Sequence, residues 1–196
     1  MTRTAALVLA VDSGVGFRGS KYLEVLRGKP LIELVVDEVT AWPVDDVIVV
    51  VGADGEQIAN GADLGNSLLV LDLDWSQGLA ASLRVGFDML SRDGRIERAV
   101  VTYGDQPGVE PEVVAALIAA QMEPGTRAAV PKYRYARGWP IVIGRDLWSR
   151  FLGLDRDVDL LDVLDGHPEG VSEVWFDRLA PPRIRDAADL PGGPRG

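Results

Sequence analysis

The stretch RAVVTYGDQPGVEPEVVAALIAAQM, residues 98–122, decides the fold. It opens with an apolar, β-branched-rich run that ends at Gly104, the composition of a buried strand. A turn of Asp, Pro and Gly follows. Pro111 then introduces a segment of helical period from Glu112 to Met122, a first-turn position where the missing proline N–H costs nothing. A buried strand that passes through a short loop into a helix is half of a parallel crossover unit.

The same alternation recurs to either side. TAALVLAV (4–11), VDDVIVVVGA (44–53), NSLLVLDL (66–73) and TRAAVPKY (126–133) read as further strands, and Leu31 to Ala41 and Leu79 to Leu90 as helices. Leu79, Leu83, Phe87 and Leu90 fall on one helical face and are expected in the core. Strand and helix in alternation predict an α/β fold of three layers, a Rossmann-like, mostly parallel sheet with helices on both faces. In the last third GWPIVIGRDLW (138–148) suggests a short strand and then a helix. VDLLDVLDG (158–166) suggests a helix ending at Gly166, and GVSEVWF (170–176) an edge strand. The tail PPRIRDAADLPGGPRG (181–196) is rich in proline and glycine, and is expected to be mobile from about residue 186. Residues 1–196 read as one domain without internal repeats.

Composition narrows the function classes. The 47% hydrophobic content comes in short blocks, none as long as the ~18 residues of a membrane span. The N-terminal MTRTAALVLAV runs into Asp12 without a cleavage signal, so it is expected to be a buried strand in a cytoplasmic protein without membrane partners. The absence of cysteine excludes disulfides, thiolate metal sites and a cysteine nucleophile. A net charge of −10 argues against a nucleic-acid partner, whose phosphates require clustered Lys and Arg.

In open α/β sheets ligands bind beyond the carboxyl ends of the strands. Three chemically suggestive stretches lie there: Asp12 to Lys21, Asp74 to Arg84 and Gly104 to Pro107. Asp105, at a strand end, suits one or two positions on Mg²⁺; its alternative is a turn or N-cap aspartate. Lys21, after Gly14, Gly16 and Gly19, could neutralise a departing pyrophosphate, although the spacing fits neither a Walker loop nor the dinucleotide fingerprint and Asp12 would repel an anion. Gly78 would let a base or ribose lie against the backbone and Ser82 could satisfy a polar edge. Their bland reading makes Trp75 core, Gly78 a helix start and Ser82 a surface hydroxyl. The one histidine, His167, sits in a GHPEG turn with no base–nucleophile partner in view.

The order of these motifs resembles a known family. The N-terminal LA and its glycine-rich loop ending in Lys21, then GKPLIELVV (28–36), W.QG...SLR.G (75–86), GDQP.V.PEVV (104–114), RGWPIVIGRDLW (137–148) and IRDAADL (184–190), together resemble the molybdenum-cofactor nucleotidyltransferases, the MobA-like NTP transferases. The cytidylyltransferase-like branch is the most similar. The resemblance implies the nucleotide-diphospho-sugar transferase type of fold and transfer of NMP from an NTP, CTP favoured, to molybdopterin or a related phosphorylated acceptor. It implies Asp105 as Mg²⁺ ligand and catalytic residue and Lys21 as the phosphate contact. It also implies Leu9, Ala10, Val11, Asp12, Arg18, Gly78 and Ser82 as nucleotide-binding, Arg137, Gly138 and Trp139 as acceptor-binding, and a molybdoenzyme as a further partner.

Departures from the family pattern accompany the matches. Against its loop LAAGxSxRMGxxK, Asp12 stands at a glycine, Gly16 at the arginine and Arg18 at the second glycine. Trp139 stands for a histidine, Leu154 to Asp159 for GDxGAR, and Arg183 and Arg185 for two acids, the second of which helps to hold metal. Arg18 could replace the missing arginine, Arg185 could meet the triphosphate directly, or Asp12 and Arg185 could form an ion pair across the crevice. The alternative function is therefore a catalytically impaired relative that binds or delivers a nucleotide or cofactor.

Overall fold

The computed structural model describes residues 2–12, 14, 16–153 and 159–190. The strand in the opening stretch is β6 (Ile96–Tyr103) and its helix is α4 (Pro111–Gln121), with the proline in the first turn as the sequence predicts. Before them come β1 (Arg3–Ala10), a small antiparallel hairpin of β2 (Val25–Leu26) and β3 (Lys29–Pro30), and α1 (Leu31–Thr40). Next are β4 (Asp46–Val51), α2 (Gly55–Gly61), β5 (Leu68–Leu71) and α3 (Leu79–Ser91). After α4 follow β7 (Ala128–Tyr133), β8 (Ile141–Gly144), α5 (Trp148–Leu152), α6 (Leu160–Asp165) and β9 (Val171–Phe176).

The seven main strands form one sheet in the order β5-β4-β1-β6-β8-β7-β9. Every pairing is parallel except those of β8, which runs antiparallel to β6 and β7. The strand expected at an edge, β9, is at the edge. Side chains of β1 alternate across the sheet, as a period of two requires. Ala5, Leu7 and Leu9 join the core under α3 and α5 with Leu83, Phe87, Leu90, Trp148 and Phe151. Ala6, Val8 and Ala10 join the core under α1 and α4 with Leu31, Ile32, Val35, Val113 and Leu117. Two separate cores, one per face, are the signature of the three-layer α/β fold.

Two elements depart from the sequence expectation. The hairpin β2–β3 and the short α2 were not anticipated, the latter because its seven residues, GEQIANG, begin and end in glycine and carry little helical propensity. At the chain end, Ala187–Asp189 forms a single 3₁₀ turn closed by a capping box, in which Asp186 accepts from the Ala188 N–H. Residues 186–190 are thus folded onto the domain, while the remainder of the expected tail, 191–196, lies outside the described residues. Among the described residues no helix is long and apolar enough to cross a membrane.

Candidate active site

Because β1, β4, β5 and β6 run parallel, their carboxyl ends share one edge of the sheet and their following loops meet there. Antiparallel β8 adds its beginning to that edge, since Ile141 is paired with Val101 near the end of β6. The sequence expectation of a common crevice holds in its geometry.

At its floor is Asp105. This carboxylate is fully buried and both oxygens are engaged: Lys21 Nζ donates to Oδ2 at 2.6 Å, and Arg183 donates from Nε to Oδ1 at 2.7 Å and from Nη2 to Oδ2 at 2.9 Å. Lys21 is itself fully buried and also pairs with Asp12. The loop closes tightly on it: a Cβ on Gly14, whose φ is +71°, would come within 2.7 Å of Lys21 Cδ, so only glycine fits. Asp12 further accepts from the Tyr22 hydroxyl at 3.0 Å and lies 3.7 Å from Arg183 Nη2. Arg183 stacks on Tyr103, its Cζ 3.4 Å from the ring centroid. Two acids and two bases thus form a closed network with no formal net charge.

The network sets the protonation of its members. Burial pushes the Asp12 carboxyl up, but hydrogen bonding and charge from Lys21, with help from Tyr22 and Arg183, outweigh it and hold Asp12 below the usual carboxylate value. Burial, reinforced by the charges of Asp12 and Asp105, pushes the Tyr22 phenol well above its ordinary value. Burial lowers the pKa of Arg183, but its bond to Asp105 more than restores it. Asp105 does not cap α4, whose N-cap is Glu110. Among the described residues there is no group of three or more His, Cys, Asp or Glu that could hold a metal.

Two cavities open onto this network. One, of about 390 Å³, is lined by Leu9, Val11, Asp12, Tyr22, Trp75, Ser76, Gly78, Leu79, Tyr103 and Arg183. The other, of about 490 Å³, has Gln106, Arg137, Gly138, Trp139, Arg183 and Arg185 on its walls. Arg183 lines both. Between them Tyr103 and Trp139 stand ring against ring, centroids 4.5 Å apart.

The expected residues divide accordingly. Leu9, Val11, Asp12 and Gly78 line the first cavity and Arg137, Gly138 and Trp139 the second. Gly78 holds a φ of +98° at the start of α3, which keeps its wall low. Arg18 is exposed and lines neither cavity. Ala10 is buried in the core under α1, and its carbonyl accepts from Gly52 N–H at 3.3 Å. Ser82 is no surface hydroxyl and lines neither cavity: it is fully buried and donates to Asp72 Oδ2 at 2.6 Å. Asp72 Oδ1 accepts from Asp74 N–H at 2.9 Å, so the buried pair braces the turn that carries Trp75. Trp75, expected in the core, is 41% exposed in the cavity wall. One of the arrangements open to the sequence, an Asp12–Arg185 pair, is replaced by Asp12 with Lys21 and Arg183, because Ile184 N–H donates to Asp105 O and turns Arg183 inward. Arg137 is tied to Glu173 and Asp165. His167 is exposed, its ring beside the Val163 carbonyl. The departure at 154–159 lies, but for Asp159, outside the described residues.

A mostly parallel seven-stranded sheet with paired cavities over its carboxyl edge defines an α/β protein of the nucleotide-diphospho-sugar transferase type. The model of the MobA-like NTP transferase domain matches residues 6–171, and the chain belongs to that family. It is 29% identical over 183 residues to the bifunctional protein GlmU of Symbiobacterium thermophilum, covering 89% of this chain but only 36% of that protein. The chain thus spans about a third of that relative's length. The structure of Rv0371c from Mycobacterium tuberculosis H37Rv in complex with manganese superposes with a TM-score of 0.82 at 22% identity, over 96% of this chain and 95% of that one. A CMP:2-keto-3-deoxy-manno-octonic acid synthetase complexed with CTP superposes with a TM-score of 0.78 at 12% identity, over 95% of each chain. The family is one of NTP transferases.

Proposed function

We propose that the protein transfers a nucleoside monophosphate from an NTP, CTP by preference, to a phosphorylated small molecule such as molybdopterin. The observation that carries this reading is the pair of adjoining cavities with one half-buried guanidinium at their border. The base and ribose would lie in the first cavity against Trp75 and Gly78, the acceptor in the second against Trp139 and Arg137. An oxygen of the acceptor's phosphate attacks the α-phosphorus, the bond from that phosphorus to the bridging oxygen breaks, and pyrophosphate leaves with the electron pair. Such transfer is limited by positioning and by positive charge on the phosphoryl and leaving oxygens, not by covalent help from the protein. Arg183 is the fixed cation that lines both cavities beside that point, while Lys21, expected as the phosphate contact, is fully buried against Asp12 and Asp105 and lines neither cavity. The preference for CTP is supported by the CTP bound to the structural neighbour.

A divalent ion at Asp105 would need one of its oxygens, and both are taken by cations. The donor set present therefore does not fit a divalent ion unless Arg183 withdraws, and no step here runs through one. The same closure favours a second reading, a relative that binds a nucleotide or pterin and delivers it to a partner without turnover. Incubation with CTP, GTP or ATP and molybdopterin, with and without Mg²⁺, separates the two. Pyrophosphate release that is lost in Asp105→Asn supports the transferase; binding without pyrophosphate from any NTP refutes it and leaves the delivery module.

A further inference from the structure

We infer that Arg183 is the resident cation of this crevice, performing for the nucleotide phosphates what a divalent ion would otherwise do, so that NTP binds without metal. This rests on the nucleotide reading of the site.

A metal needs a carboxylate with free lone pairs facing open space. Asp105 has none to offer: it is fully buried, with Lys21 on one oxygen and the Arg183 fork across both. Nor are its partners readily displaced. Lys21 is enclosed by its own loop, and the Arg183 side chain, 15% exposed, is pinned between Asp105 and the face of Tyr103. The second candidate ligand, the half-exposed Asp12, has Oδ1 shared by Lys21 and Tyr22, and its Oδ2 faces the Arg183 guanidinium at 3.7 Å, so a divalent ion there would sit against a fixed cation. A divalent ion would have to break a buried ion pair and leave a guanidinium stranded beside it, a double electrostatic cost.

What Arg183 offers in exchange is chemically apt. A guanidinium has five N–H donors, and only Nε and one on Nη2 are used on Asp105, while Nη1 makes no hydrogen bond among the described residues. The side chain reaches both cavities, so its remaining donors stand where a phosphate of either substrate would lie. Arginine presents those donors in a planar fork that matches phosphate oxygens and keeps its charge at any physiological pH. Asp105 then serves as a positioning residue that aims this fork.

The test is calorimetric titration of the full chain with CTP, GTP and ATP, in EDTA and in excess Mg²⁺, with Mn²⁺ binding to the nucleotide-free protein followed by electron paramagnetic resonance. Removing the metal is expected to leave affinity within about two-fold or to tighten it, because free NTP carries more charge to meet Arg183. Mn²⁺ is expected to find no site. Arg183→Met should weaken binding in EDTA at least ten-fold, and Arg183→Asp should bind NTP only when Mg²⁺ or Mn²⁺ is supplied. Circular dichroism on both variants excludes loss of fold, and the wild-type comparison needs neither. Ten-fold tighter binding with Mg²⁺, or a Mn²⁺ site on the free wild-type protein, overturns the inference while leaving the nucleotide reading intact. Absence of NTP binding under either condition overturns both.

Discussion

Replacing Asp105 by asparagine keeps the shape of the side chain and removes the charge on which the network converges. In the wild type it accepts three hydrogen bonds from two cations, at 2.6, 2.7 and 2.9 Å, with no solvent access. Removing one partner of a buried ion pair leaves the other uncompensated, at a cost of about 3–5 kcal/mol. Asp12 remains as partner to Lys21 and lies 3.7 Å from Arg183, so the lower end, about 3 kcal/mol, is expected. For a chain of this size that is a fall in Tm of about 6–12 °C. The double variant Asp105→Asn with Lys21→Met removes one acid and one base together. It should be less destabilised than the sum of the single variants by about 1–3 kcal/mol. Urea unfolding at neutral pH measures all three, provided the m-value is unchanged. A cost below about 1 kcal/mol for Asp105→Asn, or strict additivity in the cycle, would place these charges in water-like surroundings and refute the reasoning.

Ser82→Ala strands a buried oxygen of Asp72 and should cost about 1–3 kcal/mol, which a fully exposed hydroxyl would not; chemical denaturation decides. Trp75→Ala should change stability by no more than about 0.5 kcal/mol. It should weaken CTP binding by about 1–3 kcal/mol through the lost stacking surface, and unchanged affinity by calorimetry would remove Trp75 from the base site. Burial raises the Tyr22 and Tyr103 phenols above their ordinary value and pushes that of Tyr133 up to about 12. Above pH ~10 the unfolded chain therefore loses protons that the folded one keeps, and stability should fall as pH rises from there towards 12 and beyond. Denaturant midpoints across that range, with tyrosinate absorbance recorded alongside, test this; Tyr22→Phe should flatten the decline.

The layered fold was legible because its strands are buried on both faces and so read as continuous apolar runs, with helical periods between them. Elements with weak local signals, such as the glycine-bounded α2, are not legible in the same way. Within the candidate site, Asp105, Lys21 and Gly78 were visible as residue types in loops beyond the strands, and the Arg137–Trp139 segment only through the family resemblance. Partners were not. Ser82 and Asp72 lie ten residues apart in sequence, and only the turn between them brings hydroxyl to carboxylate. Arg183 and Arg185 flank the buried Ile184 and both line the second cavity, so residue type alone does not say which of them meets Asp105. The choice is made by a long-range backbone bond, Ile184 N–H to Asp105 O at 2.8 Å, together with burial of the Ile184 side chain.

The reversal of β8 has a consequence for how this scaffold can be altered. In a wholly parallel sheet every segment at the ligand edge follows a strand and leads into a helix, so that changing its length disturbs the packing of that helix. Here the segment at residues 134–140 arrives before its strand, as the return of a hairpin from β7, and supports no helix between the two. The exposed part of that segment, residues 134–136, leads into no helix and can therefore be altered without shifting α3 or α4, whereas Trp139 is anchored in the core beneath α3. On the proposed reading, that makes the exposed part the place to vary acceptor choice while the cavity proposed for the nucleotide stays as it is.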